Sequence, residues 1–525
     1  MIRLYTVKGL IPISSGREVG ILLIHPPVTK PCEPPAGIAR LVGALRMHGI
    51  KGSALDMSLE GILSMVQGVG ESTDTWTRRA IRNLPRHLAS LRGESLYGHF
   101  SRYQRAVLEV NRLIQVAGNA RGVNLSLANC QHRDLSPVKS LDLARAAEKP
   151  EEDPFFPYFS RRLHQFLETK SFGTVGFSLN YLNQAVSAFA MAGFLRKRVP
   201  SLKIALGGGL VTSWVRRPGW QNPFAGLVDL LVAGPGEGPL LSFLGVAPSG
   251  DKINGLPDYD SFPSADYLSP GWVLPYSASS GCYWHQCLFC PEKAEGNPYQ
   301  PSAPDRVIQD LELLAEKRKP VLIHLLDNAL SPGLLKRLAG HAFGVPWYGF
   351  ARITEHLADL DFCLALRKSG CVMLQLGMES GDQGVLDRLQ KGMDLRIASR
   401  VLKNLKKVGI AAYVYLLFGT PAESETEARR TLDFTVAHSG EIGFLNLAVF
   451  NLPAYGKEAR KLATQEFYEG DLSLYSNFAH PRGWNRDAVR SFLDKEFKRH
   501  PAIAPIVRRD PPIFTSNHAP FLVRK

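Results

Sequence analysis

Residues 273–292 read VLPYSASSGCYWHQCLFCPE, a short apolar run closed by small residues and followed by Cys282, Cys287 and Cys290 within nine positions. The run has the length of a buried strand, and the three thiols lie on the loop that leaves it. The stretch admits three readings. A structural zinc clip needs four ligands, and with no fourth cysteine nearer than Cys363, His285 is the residue available to close it. A cubane iron-sulfur cluster normally takes four cysteines, so three leave one iron open to bind a small molecule directly. Chance clustering is the third.

Working outward, strand-like runs recur downstream as VLIHLLD (321–327), WYGFARI (347–353), CVMLQLGME (371–379), IAAYVYLLFG (410–419) and FLNLAVFNL (444–452). Helical stretches separate them; in PDRVIQDLELLAEKR (304–318), Val307, Ile308, Leu311 and Leu314 share one face. Repeated strand-helix units predict a full or partial (β/α) barrel, with the cysteine loop after its first strand, at the face where barrel chemistry is done.

Upstream the rhythm is also α/β. ILLIHPP (21–27) is followed by AGIARLVGALRMHG (36–49), where Ile38, Leu41, Val42 and Leu45 fall on one helical face, and then by KGSALDM (51–57). It resumes with TVGFSL (174–179), a helix around Val186, Phe189, Ala190 and Leu195, KIALGGG (203–209) and DLLVAGPGEG (229–238). Such alternation predicts a parallel sheet covered on both faces, taking ligands at the carboxyl ends of its strands. The expected organisation is a Rossmann-like domain over 1–58 and 166–247, a helical basic insertion over 59–165, a linker over 248–272, a six-unit partial barrel over 273–455 and a small C-terminal region over 456–525.

The chain has 525 residues, 45% hydrophobic and 21% charged, which suits a soluble protein of two or three domains. It has no apolar run of membrane-spanning length and its start lacks a signal-type apolar core, so a cytoplasmic location is expected. Seven scattered and clustered cysteines do not form a disulfide framework. The net charge of +14 favours an anionic partner or substrate through the summed field. Arg78, Arg79, Arg82, Arg86, Arg92, Arg102, Arg105 and Arg112 concentrate it in the insertion; a solvated helix face is the plain reading, and contact with phosphate or a membrane surface the alternative.

Three close cysteines after a first barrel strand, with Phe289 before the last, resemble the radical S-adenosylmethionine (SAM) superfamily. The spacing here is C-x4-C-x2-C, one residue wider than that family's usual C-x3-C-x2-C. LIHLLDNAL, LQLGMESGDQGVLDRLQKG and YLLFGTPAESETE are similar, in order, to its second-, fourth- and fifth-strand segments. The resemblance implies that Cys282, Cys287 and Cys290 ligate a 4Fe-4S cluster whose open iron chelates SAM. It also implies that Glu379 contacts SAM and that Asp327 and Arg352 face SAM or substrate, each having an ordinary strand-end salt bridge as its plain alternative.

The upstream runs, in their order, resemble the cobalamin-binding domain that precedes the barrel in one branch of that family. The D-x-H-x-x-G motif that supplies a histidine to cobalt is absent, and His25 lies inside the strand-end run instead. Ser178, Gly207, Gly208, Gly209 and Gly236 are the positions the resemblance places near the corrinoid or its tail; a domain that only supports the barrel is the alternative.

The function implied is reductive cleavage of SAM by a radical SAM enzyme, with cobalamin-dependent methyl transfer to an unactivated carbon and a reductant such as flavodoxin or ferredoxin as partner. Cobalamin-dependent cyclisation or rearrangement without methyl transfer is the nearest alternative. From another class, a zinc-clipped protein binding nucleic acid or a membrane surface is the third. In the tail, PPIFTSNHAPF (511–521) raises the expectation that Asn517 or His518 reaches the active site, against the plainer reading of a structural histidine.

Overall fold

A computed structural model describes residues 20–170, 172–247, 253, 255–514 and 518–523. The chain divides into two compact units: Met1–Leu96, Ser101–Ser269 and Tyr468–Leu474 form the first, and Tyr97–Phe100, Pro270–Phe467 and Tyr475–Lys525 the second.

The first unit is built on five parallel strands, β1 (Gly20–His25), β2 (Gly52–Asp56), β3 (Phe172–Ser178), β4 (Lys203–Gly207) and β5 (Leu230–Leu231), in the order β2-β1-β3-β4-β5. Every residue of β1 is buried, as a central strand covered on both faces requires. Helix α1 (Ala36–Met47) follows β1 and buries Ile38, Val42 and Leu45; helix α2 (Ala185–Arg198) follows β3 and is buried almost all round. Strand order reverses between β1 and β3, the position at which sheets of this kind take ligands.

The insertion lies between β2 and β3. It holds helices Met57–Gln67, Thr75–Leu91, Phe100–Asn119, Ser140–Glu148 and Phe156–Thr169, and an antiparallel hairpin, Val123–Ser126 with Asn129–His132. The hairpin's four-residue strands are too short for periodicity to reveal. Arg78, Arg82 and Arg86 are exposed, whereas Arg79 pairs with Glu109 at 2.9 Å and Arg112 with Asp74 at 3.2 Å.

Residues 255–269, in the stretch that reads as a linker, are packed onto the first unit. Tyr259, Phe262, Tyr267 and Leu268 are buried, Asp258 pairs with Arg46, and the Tyr267 hydroxyl donates to Asp56 at 2.9 Å. Proline and glycine mark irregular backbone, but spaced aromatics with no helical or strand period still bury apolar area.

The second unit holds six parallel strands lying side by side in chain order: β6 (Val273–Tyr276), β7 (Leu322–Leu330), β8 (Trp347–Ala351), β9 (Cys371–Glu379), β10 (Ala411–Phe418) and β11 (Ile442–Val449). Helices α3 (Pro304–Arg318), α4 (Pro332–Ala339), α5 (Leu360–Lys368), α6 (Leu395–Val408) and α7 (Glu425–Ala437) occupy the successive connections. This is the expected six-unit partial barrel.

Its amino-terminal end is closed by Val273, Leu322, Tyr348, Met373, Tyr413 and Phe444, with Ala519, Leu522 and Val523 of the tail packed among them. His518 is fully buried there, its ring centroid 4.4 Å from Tyr413 and 4.3 Å from Phe444. The tail histidine therefore fills the end of the barrel opposite the cysteine loop and does not reach that loop; its ring packs against Tyr413 and Phe444 while Nε2 meets Asp510 Oδ1 at 3.1 Å. Asn517 lies outside the described residues. Before that plug the tail adds strands Thr464–Glu466 and Tyr475–Phe478 and a helix, Arg486–Phe492, none with a readable period. Among the described residues no helix is long and apolar enough to cross a membrane.

Candidate functional site

The loop after β6 is anchored at both ends before it carries any thiol. Ser279 and Ser280 pair with Pro301 and Gln300, which clips the loop at its base. Gly281 sits at φ +73°, and a Cβ there would lie 2.5 Å from the Pro298 carbonyl oxygen, so only glycine makes this turn. From β7, Asp327 is 2% exposed and uses both carboxylate oxygens on the loop: Ala278 N donates to Oδ2 at 3.0 Å, and the Ser279 hydroxyl to Oδ1. Asn328 Nδ2 donates to the Gly281 carbonyl at 3.2 Å. Burial raises the Asp327 carboxyl, and these hydrogen bonds act against the rise.

Cys287 is buried, Cys282 and Cys290 are half-buried, and all three are free thiols. Burial pushes the Cys290 thiol up to about 11 and raises that of Cys287, while Lys391 and Arg352 act to lower the latter. One thiol buried beside two cations and two half-buried ones on the same loop suit coordination, in which an electropositive centre deprotonates thiols outright. Cys287 is electrostatically coupled to Cys282, and Cys290 to Cys287. Among the described residues no group of three or more His, Cys, Asp or Glu is placed to hold a metal ion. A cubane cluster takes one thiolate per iron, so three thiols spread along one loop fit what it asks of a chain. His285, the alternative fourth ligand, is half-buried on the same loop at φ +48°.

Against this loop packs the turn after β9. Leu288 N donates to the Leu389 carbonyl at 3.1 Å, and Trp284 Nε1 to the Gln390 carbonyl at 3.2 Å. Gly392, at φ +63°, lies flat under the Trp284 ring, which any Cβ would overlap. Glu379 ends β9 in the left-handed region at φ +69°, uncommon for a side chain of its size. Its Oε1 meets Lys391 Nζ at 2.7 Å. Gly377 makes room for the pair, since a Cβ there would stand 2.7 Å from that oxygen. Arg352, just past β8, is 8% exposed; it lies over Trp284 at 4.2 Å and directs Nη1 toward Cys287 Sγ at 3.8 Å. Of the predicted residues, the three cysteines, Arg352 and Glu379 are thus gathered at the carboxyl end of the barrel, with Asp327 beneath the loop. Lys391 stands next to last in the LQLGMESGDQGVLDRLQKG segment, and its pairing with Glu379 is visible only in the structure.

The turn after β10 is held by Glu423, which is fully buried. Gly419 N donates to its Oε2 at 2.6 Å and Trp484 Nε1 at 3.0 Å. Burial pushes this carboxyl up to about 8, so it is largely protonated at neutral pH. It lies within the YLLFGTPAESETE segment, but the segment does not reveal its role, because its partners are a backbone amide and a tryptophan 61 residues away.

In the first unit, Ser178 ends β3 and Gly207 ends β4, side by side in the sheet. Asn180 joins them: Nδ2 donates to Ser178 Oγ at 3.2 Å, and Gly209 N donates to Oδ1 at 3.1 Å. Gly208, at φ +106°, has no room for a Cβ against the Leu179 carbonyl, so its glycine is required by the turn itself. Gly236 comes after β5 and packs beside Leu41. Ser178, Gly207 and Gly209 leave a low, small-residue edge at the carboxyl end of the sheet, which fits the close approach of a flat ring such as a corrin. His25 is buried at the end of β1 with Nε2 2.9 Å from Thr29 Oγ1, and burial lowers its pKa.

Residues 276–435 match the radical SAM superfamily. The chain is 22% identical over 327 residues to the anaerobic magnesium-protoporphyrin IX monomethyl ester cyclase of Rubrivivax gelatinosus, covering 52% of this chain and 58% of that one. It is 27% identical over 184 residues to the bacteriochlorophyllide d C-12(1)-methyltransferase of Chlorobaculum tepidum, covering 33% and 40%. An uncharacterized methyltransferase of Pyrococcus horikoshii is 24% identical over 189 residues, 34% of this chain and 40% of the relative. The chain thus spans about half the length of these curated relatives. Two solved structures share the fold: the cobalamin-dependent SAM radical enzyme OxsB with aqua-cobalamin bound (TM-score 0.56, 12% identity, 91% of this chain and 67% of that one) and the radical SAM methyltransferase TsrM of Kitasatospora setae (TM-score 0.52, 16%, 84% and 75%).

Proposed function

From a chain that carries a radical SAM domain at residues 276–435, we propose an enzyme that holds a 4Fe-4S cluster on Cys282, Cys287 and Cys290, binds cobalamin at the carboxyl edge of its first sheet, and methylates a carbon atom of its substrate. The observation that carries this reading is the pinned loop: three free thiols after the first strand of a partial barrel, two of them half-buried and one buried beside a guanidinium.

When bound, the cluster and cobalamin supply the electron that cleaves SAM and the methyl group to be transferred; these are cofactor chemistries that a protein positions and shields. The chain's own residues orient and enclose. Asp327 and Asn328 fix where the loop starts, and the Trp284–Gly392 contact fixes where it folds back. Glu379, with its carboxylate on Lys391, presents a charged pair at the end of β9 suited to the amino and carboxylate groups of SAM. Ser178 and the Gly207–Gly209 run would receive the corrinoid. A low-potential donor of the flavodoxin or ferredoxin type supplies the electron, and the basic excess of the chain suits an acidic partner.

A second reading, ring closure without methyl transfer, is favoured by the cyclase likeness, which covers more of the chain than either methyltransferase likeness. One experiment separates them. Protein purified without oxygen from cobalamin-supplied cells is assayed for iron, sulfide, cobalt and zinc, then for the products of SAM turnover. About four irons with sulfide and one cobalt per chain, and S-adenosylhomocysteine formed alongside 5'-deoxyadenosine, support methyl transfer. 5'-Deoxyadenosine alone supports ring closure. Zinc without iron refutes both.

A further inference from the structure

We infer that Arg352 is the residue that sets the reduction potential of the cluster, acting as a positioning group on Cys287 rather than as a contact to SAM or substrate. The inference rests on the cluster proposed above and concerns what this chain adds to it.

A buried guanidinium needs an anion, and the usual one is a carboxylate. Among the described residues Arg352 forms no ion pair with Asp or Glu. Its Nη2 donates to the Lys391 carbonyl and, at 3.5 Å, to the Gly392 carbonyl, both neutral acceptors. The Trp284 ring covers its plane at 4.2 Å, and Tyr283 is a further polar neighbour. The remaining direction, along Nη1, ends on Cys287 Sγ at 3.8 Å. Lys391 also acts on Cys287, but Glu379 compensates its charge at 2.7 Å. Arg352 is therefore a buried cation beside the ligand loop with no carboxylate partner among the described residues, and the Cys287 thiolate of the bound cluster would be its anion.

Two carbonyls and an indole face hold the guanidinium plane in one orientation, which a flexible ammonium does not reproduce. A fixed N–H directed at a ligating sulfur, with a full positive charge behind it, stabilises the cluster more after it has gained an electron than before. Hydrogen bonds to the sulfurs and local charge are the levers that set such potentials. In this chain the lever raises the potential, easing reduction by the physiological donor.

The test is an EPR-monitored redox titration of the reconstituted holoprotein without SAM, comparing wild type with R352M, R352K and W284L. For R352M the equilibrium constant of one-electron reduction should fall at least tenfold, a shift of about 59 mV to more negative potential. R352K and W284L should shift in the same direction by less, and they carry the test should R352M fail to hold a cluster. SAM affinity, measured by equilibrium dialysis on the oxidised holoprotein, should change less than threefold in R352M. An unchanged midpoint overturns the inference, and an unchanged midpoint with SAM affinity weakened tenfold assigns Arg352 to SAM instead. Wild-type protein that takes up no iron and sulfide defeats the cluster reading itself, which is distinguishable from failure of this inference alone.

Discussion

The carboxylate of Asp327 has both oxygens committed to the base of the cysteine loop. Replacement by Asn turns one acceptor into a donor facing another donor, leaving a buried N–H or hydroxyl unsatisfied at a cost of about 1–3 kcal/mol. D327N should therefore lose iron several-fold faster on gel filtration while its secondary structure, read by circular dichroism, stays intact. Glu423 makes a pH-dependent contribution. Its carboxyl is raised from the ordinary 4.5 to about 8 in the fold, so the unfolded chain releases that proton first and stability falls as pH rises from about 4.5 to about 8. The steepest loss is about 1.4 kcal/mol per pH unit. E423Q cannot ionise, and its thermal midpoint should vary less than that of wild type between pH 5 and 8. At this scale the family resemblance pointed to the cysteines and Glu379 by motif and to Asp327 and Arg352 by their places at strand ends, but not to what each side chain touches: Arg352 meets a sulfur 65 positions away and Glu379 a lysine 12 positions away.

Between elements, close approach rather than chemistry makes the strictest demands. The turn after β9 meets the cysteine loop through Gly392 lying under Trp284. G392A must push that ring away, and we expect at least a twofold drop in iron retained after reconstitution, with thermal stability little changed, because the contact joins two loops rather than core elements. At the opposite end of the barrel, H518A would open a cavity beside Tyr413 and Phe444. The expected loss is about 2–3 kcal/mol in chemical denaturation, with SAM cleavage per bound iron unchanged; a fall in cleavage at equal iron loading would place the histidine in the chemistry instead. The strands themselves were readable, since parallel strands covered on both faces demand continuous apolar runs bounded by glycine or proline. The Val123–His132 hairpin and the packed residues 255–269 were not, because their apolar positions follow no period.

For the whole molecule, the residues proposed for cobalamin and those proposed for the cluster belong to different compact units, and the proposed function expects loading of one not to require the other. G208V, which cannot adopt the turn after β4 without clashing with Leu179, should lower cobalt content at least fivefold and leave iron content within error. C290S should do the reverse, and parallel loss of both metals in either variant would contradict the assignment. By itself, the sequence determined the two α/β series, their strand order along the chain and the loop that carries three thiols, because each depends on short-range patterns: apolar runs, glycine and proline boundaries, and cysteine spacing. Only the tertiary structure decided that strand order in the first sheet reverses between β1 and β3, that the tail plugs the far end of the barrel, and that an arginine with no carboxylate partner among the described residues faces Cys287. Those outcomes depend on which distant surfaces bury one another, a free-energy balance among many contacts that no local pattern encodes.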